Sequence, residues 1–277
     1  MKKLTLKYSN LYTYLLAFFL FGIALFVSAL INNGFIKTYF PYTAVILLAI
    51  ATWILYRRES KSLNEIDFNF KLKNILLIPL GIVIAAATFL LAKYLRALCL
   101  NETINLAAEI DYKSILTAFY FILPTVAVEE FLFRGYLFKK TIELSSVVKA
   151  NIIFSILFTL IHVLDDTVLN SPGKLVLLTI SIPVGHLLFA TALIKSKSIY
   201  FPIGLHLGNN WATRHLVSTS NETSIFHVTN TANFDTWFSF ILFLILWNCI
   251  FLFVTFLIWK WDKFSFFKNK KKTKNDL

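Results

Sequence analysis

Charge is what this chain has least of. Only 15% of its residues are Asp, Glu, Lys or Arg, against about 25% in an ordinary soluble domain. Hydrophobic residues make up 57%, and mean hydropathy is +0.69. That balance excludes a water-soluble globule and leaves the bilayer as the solvent. Cysteine is also scarce. Cys99 and Cys249 lie far apart in no motif and read as buried or lipid-facing thiols. There is no H-E-x-x-H zinc-protease signature. Nor is there an internal repeat, or a pair of broken helices in corresponding halves, as a transporter would bring. The basic start Met1–Lys7 leads into an apolar stretch too long for a signal peptide and without a small-residue cleavage site, so no secretory signal is expected.

What is present fits lipid. The 29 Phe, 11 Tyr and 6 Trp suit lipid-facing and interfacial positions. The net charge of +12 does not point to nucleic acid, because the basic residues form short clusters between apolar runs and in the tail. That pattern serves topology and anionic headgroups. About twenty apolar residues make one helical span, and backbone groups in lipid must be satisfied internally. Eight spans are expected: Leu11–Ile31, Thr38–Tyr56, Ile75–Leu95, Ile115–Phe133, Val147–Leu164, Leu175–Ile194, Ile199–Val217 and Trp237–Trp259. The fold class is therefore an all-α, multi-pass membrane bundle.

On this count 21 of the 27 basic residues, Arg134 among them, fall on one side and 5 on the other. The positive-inside rule then puts both termini in the cytoplasm. Residues 1–277 read as a single membrane domain, with a polar-motif core over 115–217. The basic tail over 262–277 is expected to be a disordered anchor on anionic lipid. The stretch 57–73 reads as a cytoplasmic linker or surface helix, and 218–236 as a long, mobile outer loop. No oligomeric state is specified.

Ionisable groups inside spans are costly and point to function. Glu129 and Glu130 end the fourth span. Glu130 and Arg134 are four apart and can pair on one helix face, while Glu129 points about 100° away and is free to act as a general base. Phe158 and His162 share a face late in the fifth span. His206 and Asn210 share a face in the seventh, where two donors can stabilise an oxyanion. Asn209 is expected to point elsewhere. His186 is a further polar intruder without a motif, read as a structural or cavity residue. Together these groups suit acyl hydrolysis without a Ser or Cys nucleophile. One difficulty is spatial: Glu129 sits about 7 Å from the basic end of its span, but His162 lies about 20 Å along its own from Lys149.

Glu129-Glu130-xxx-Arg134, Phe158-xxx-His162 and His206-xxx-Asn210, in this order, resemble the three motifs of the CPBP family. The string from Glu129 to Phe138, EEFLFRGYLF, is similar to the first motif. That family includes type II CAAX prenyl endopeptidases and bacterial abortive-infection membrane proteins. The resemblance implies about eight helices around a cavity open to the cytosol, and a glutamate-type intramembrane protease acting on a peptide or membrane-associated protein, CAAX-like or bacteriocin-related. It implies Glu129 as the base activating water, His162 assisting, His206 and Asn210 as the oxyanion hole, and Glu130, Arg134 and Phe158 in support, with no cofactor. The Lys- and Asn-rich ends suit a bacterial cytoplasmic membrane. Two other readings stay open: a zinc metalloprotease using Glu129, His162 and His206, and a non-catalytic immunity or scaffold protein.

Overall fold

A computed structural model describes residues 2–219 and 223–263. The expected disordered tail lies, from residue 264 on, outside the described residues. Helix α1 (Lys2–Ile31) runs into the short α2 (Gly34–Tyr39), and α3 (Thr43–Arg58) returns beside α1. A 3₁₀ turn (Leu63–Ile66) and α4 (Leu72–Ile75) lead into α5 (Leu77–Leu100), which ends at Asn101 in the left-handed region (φ 52°). Strand β1 (Thr103–Leu106) precedes α6 (Tyr112–Arg134). Asp111 caps α6 by accepting from the Ser114 amide at 3.0 Å. Next come α7 (Tyr136–Leu144), α8 (Val147–Val163), α9 (Asp166–Leu169) and α10 (Pro172–Ser196). Helix α11 (Tyr200–Trp211) continues as a π-helical turn (Ala212–Leu216) into β2 (Val217–Ser218). Strand β3 (Phe226–Thr229) and α12 (Trp237–Trp259) complete the chain, α12 opening on a Thr236–Ser239 capping box.

The result is an α-helical membrane bundle, but its spans are not uniform. Among the described residues, five segments are long and apolar enough to cross a bilayer: Asn10–Ile31, Leu72–Leu100, Tyr112–Leu144, Pro172–Ser196 and Trp237–Trp259. Helix α3 has 16 residues and α8 has 17, each about 25 Å of helix, short of the ~30 Å hydrocarbon core. The expected seventh span differs most. Helix α11 has only 12 residues, and ten of them, Tyr200–Gly208 and Trp211, are buried. It is an inner helix sheathed by α5, α6 and α10, so it has no need of a lipid-matched length.

Glycine makes that burial feasible. Gly204 and Gly208 repeat at the small-xxx-small spacing that lets membrane helices touch, and Gly81 meets them from α5. A β-carbon on Gly204 would lie 2.4 Å from the Ile78 carbonyl oxygen, and one on Gly208 2.6 Å from Ile82 Cα. Backbone against backbone, neither helix can yield.

The fourth span does not stop at Arg134. At Gly135, where a β-carbon would sit 2.2 Å from the Phe131 carbonyl oxygen, the chain bends and α7 carries on to Leu144. Glu129 therefore precedes the Ser145–Ser146 turn by as much chain as His162 follows it. Each is about 22 Å from the turn at the helical rise, which removes the depth conflict. Arg134, expected among the basic residues of an inner loop, is instead 0% exposed inside the bundle. Pro124 interrupts α6 without breaking it. It cannot donate to the Tyr120 carbonyl one turn back, and the Tyr42 hydroxyl donates there instead at 2.9 Å.

Two loops are more ordered than expected. The stretch 57–73 folds against the bundle: the Ile199 amide donates to the Ile66 carbonyl at 2.9 Å, and Ile66 is fully buried. Part of 218–236 forms a small sheet of order β1-β3-β2, with Thr103 opposite Thr229 and Leu106 opposite Phe226 in an antiparallel ladder, and β2 parallel to β3. Arg96 holds both Glu102 (2.9 Å) and the Ala232 carbonyl (3.2 Å). Backbone pairing and this partly buried ion pair order the described part of that loop.

Gly208→Ala should destabilise the protein by about 1–3 kcal/mol, the usual penalty of overpacking. Gly22→Ala, on α1 where an added methyl meets nothing within 4 Å, should be neutral or slightly stabilising. Thermal unfolding of the two variants in detergent compares them directly.

Candidate active site

The polar residues of α6, α8, α10 and α11 meet in one network. Its buried centre is Glu130, whose Oε1 accepts from Arg134 Nη1 at 3.0 Å and from His206 Nδ1 at 2.8 Å. Glu130 and Arg134 side chains are both 0% exposed. The expected pair on one helix face is thus present, and it has recruited a third partner from α11. A buried ion pair survives desolvation only when further hydrogen bonds satisfy it. Arg134 finds one in His186, whose Nδ1 lies 3.2 Å from Nη2. A guanidinium can only donate, so Nδ1 accepts and His186 is the neutral tautomer with its proton on Nε2. The guanidinium also lies over the Phe158 ring at 4.1 Å and the Phe189 ring at 5.2 Å.

Glu129 faces away from this pair, toward two imidazoles. Its Oε2 is 3.7 Å from His206 Nε2 and 3.9 Å from His162 Nε2. These separations exceed a hydrogen bond and suit a bridging water. Glu129 Oε2 is buried without a hydrogen-bond partner, as are Glu130 Oε2 and Arg134 Nε beside it. The orientation of each ring is set from behind. His162 Nδ1 donates to the Phe158 carbonyl at 2.7 Å, the residue four back on the same helix. His206 Nδ1 donates to Glu130. Both rings consequently present Nε2 to Glu129. Phe189 stacks on His206 (4.7 Å, 16°), and Phe158 meets His162 edge-on at 4.5 Å, so neither ring is free to swing.

The site opens into a cavity of about 310 Å³ between α5, α8, α10, α11 and α12. Its walls are largely apolar and aromatic. The polar exceptions are His162, His206, Asn209, Asn210, Thr213, Ser181 and Asn248. Asn210 therefore shares the cavity with both histidines. Asn209 does too, against the expectation that it points elsewhere. Ser181 and Asn248 had drawn no notice in the sequence. Asn248 donates to the Ser181 hydroxyl at 3.2 Å and to its own helix at the Leu244 carbonyl at 2.8 Å. Its signal was an amide in the middle of an otherwise apolar span. His186 proves to be a member of the ion network rather than of the cavity wall.

Residues 111–212 match a family model described as Type II CAAX prenyl endopeptidase Rce1-like. Over this segment, a little over a third of the chain, the protein is similar to that family. The matched segment spans α6 to α11 and contains all three motifs, and the family named for an endopeptidase brings with it the reading of a membrane-embedded hydrolase. No curated protein and no solved structure matches the chain. As for zinc, no group of three or more His, Cys, Asp or Glu side chains among the described residues is arranged to hold a metal ion. The site offers two Nε2 atoms and one carboxylate oxygen.

Removing one member of a buried ion pair strands the other. Arg134→Met should cost about 3–5 kcal/mol, while Arg134→Met combined with Glu130→Gln should recover part of that loss. Unfolding midpoints of the single and double variants in detergent measure the difference.

Proposed function

We propose that this protein is an intramembrane endopeptidase of the glutamate type, with Glu129, His162, His206 and Asn210 as its catalytic groups. One observation carries the reading. A buried carboxylate oxygen with no hydrogen-bond partner faces two imidazole Nε2 atoms at 3.7 and 3.9 Å, and both rings are fixed from behind.

In this reading water sits between Glu129 and His162. Its oxygen attacks the scissile carbonyl carbon, and Glu129 takes the proton. The carbonyl oxygen becomes an oxyanion held by the Asn210 amide and by His206 Nε2. For Nε2 to donate while Nδ1–H is held by Glu130, the ring must carry both protons. With neutral rings the two carboxylates and Arg134 leave one net negative charge, so the added proton makes the cluster neutral. Collapse of the intermediate breaks the C–N bond, and the departing amine takes the proton from Glu129. The products are a carboxylic acid and an amine, which ionise to carboxylate and ammonium.

The bundle is multi-pass, with the hairpin after α7 and both termini on the cytoplasmic side. Arg134 drops out of the inner loops, yet the basic residues still crowd that side. The substrate is a peptide or membrane-associated protein in a bacterial cytoplasmic membrane. No cofactor enters this scheme.

Glu129→Gln should lower cleavage in proteoliposomes by about 10²–10⁴-fold, the range of general-base catalysis, with an unchanged unfolding midpoint. Full activity in that variant would remove Glu129 as the base. Asn210→Ala should cost about 10²–10³-fold in kcat. Small membrane-peptide abundances in cells carrying wild type or Glu129→Gln then identify the substrate. Loss of cleavage with a chelator and rescue by zinc would instead favour a metalloprotease.

A further inference from the structure

The cavity that holds the catalytic groups continues past them. On α10, Phe189 stacks on His206, and Gly185 and Ser181 stand one and two turns before it on the same face. A β-carbon on Gly185 would meet nothing within 4 Å, so the space between Phe189 and Ser181 stays open. That stretch is about 12 Å at the helical rise. An extended chain covers it in about three to four residues.

At the far end Ser181 meets Asn248 of α12 in a wall otherwise built from Leu177, Leu178, Trp247 and Phe251. Chemistry alone orients the Asn248 amide. The atom 2.8 Å from the Leu244 carbonyl oxygen must be the nitrogen, because a carbonyl only accepts. The second amide proton goes to Ser181 Oγ at 3.2 Å. Both donors are then spent, and among the described residues nothing donates to Asn248 Oδ1. Ser181 accepts from the amide, and its own proton has no acceptor among the described residues. Thr88, Thr159 and Thr255 on surrounding helices each return their proton to a carbonyl one turn back, and Ser181 does not. An unmatched acceptor and an unmatched donor thus stand side by side in the cavity wall.

We infer that Asn248 and Ser181 form a subsite for the backbone of an extended, apolar peptide segment, with Asn248 Oδ1 accepting an N–H and the Ser181 hydroxyl donating to a C=O. In an extended chain the N–H and C=O of one residue point to the same side, which is the complement of this pair. Apolar side chains then meet the surrounding leucines and aromatic rings, while the peptide group keeps the partners that it needs away from water. Calling the segment substrate rests on the endopeptidase reading. Both residues position it and take no part in the bond cleavage.

Binding to Glu129→Gln protein in detergent tests the subsite without turnover. The probe is a decapeptide of Leu and Ala carrying a terminal fluorescein, read by anisotropy against empty micelles. Replacing its backbone amides one at a time by esters removes one N–H each. At one position the ester should weaken binding about 5–10-fold, the worth of one hydrogen bond. Adding Asn248→Leu should weaken the all-amide peptide by a similar factor and abolish the ester effect at that position. Ser181→Ala should weaken binding and keep the ester effect, and Gly185→Leu, which fills the open stretch, should weaken binding of every peptide. A helix-to-helix bond with no substrate role would lower the unfolding midpoint of Asn248→Leu and leave the ester scan unaltered. An ester scan without a sensitive position, an equal penalty with and without Asn248→Leu, or no binding of the peptide would overturn the inference. Wild-type protein that binds this peptide with the expected ester pattern and does not cut it would count against the endopeptidase reading and leave the subsite standing.

Discussion

Everything at the site hangs on the Glu130 carboxylate. It is fully buried and holds Arg134 from its own helix and His206 from another. In a low-dielectric interior neither charge survives alone, and the imidazole bond ties α6 to α11 at one point. Arg134 in turn engages His186 on α10 and the faces of Phe158 and Phe189. One ion pair thereby orients a histidine, locks two aromatic walls and fixes the relative height of four helices.

That constraint explains the division of labour between two adjacent glutamates. Successive residues on a helix point about 100° apart. Glu130 is bound to Arg134 and His206 through Oε1, and Glu129 is left facing two ring nitrogens. The same arithmetic accounts for the unusual build of α11. A helix that brings an imidazole to a buried carboxylate must come close, and only Gly81, Gly204 and Gly208 let α5 and α11 approach to backbone contact. Function here is bought with small residues. Asn209 and Asn210, near the end of α11, line the same cavity.

The bundle around the site is asymmetric by design of its lengths. Helix α8 ends as soon as it has delivered His162, α11 is short and sheathed, and the linker folds back to put Phe68 under Tyr200. A packed aromatic plug lies toward the basic loops, and threonines and amides lie toward the small sheet.

Composition and hydropathy by themselves determined that this is a membrane bundle, because so few charges leave lipid as the only solvent. Spacing alone determined that Glu130 pairs with Arg134 while Glu129 does not, and that Phe158 and His162, like His206 and Asn210, share faces, because helical periodicity is local. Which helices meet was beyond that periodicity. Only the folded chain decided that His206 bonds Glu130, that His186 belongs to Arg134, and that Arg134 is interior rather than in a loop. Each of those depends on the continuation of α6 through Gly135 and on close contact between helices distant in sequence. The short, buried α11 and the paired strands at 103–106 and 226–229 were illegible for the same reason: both are set by neighbours, and a hydropathy window sees none.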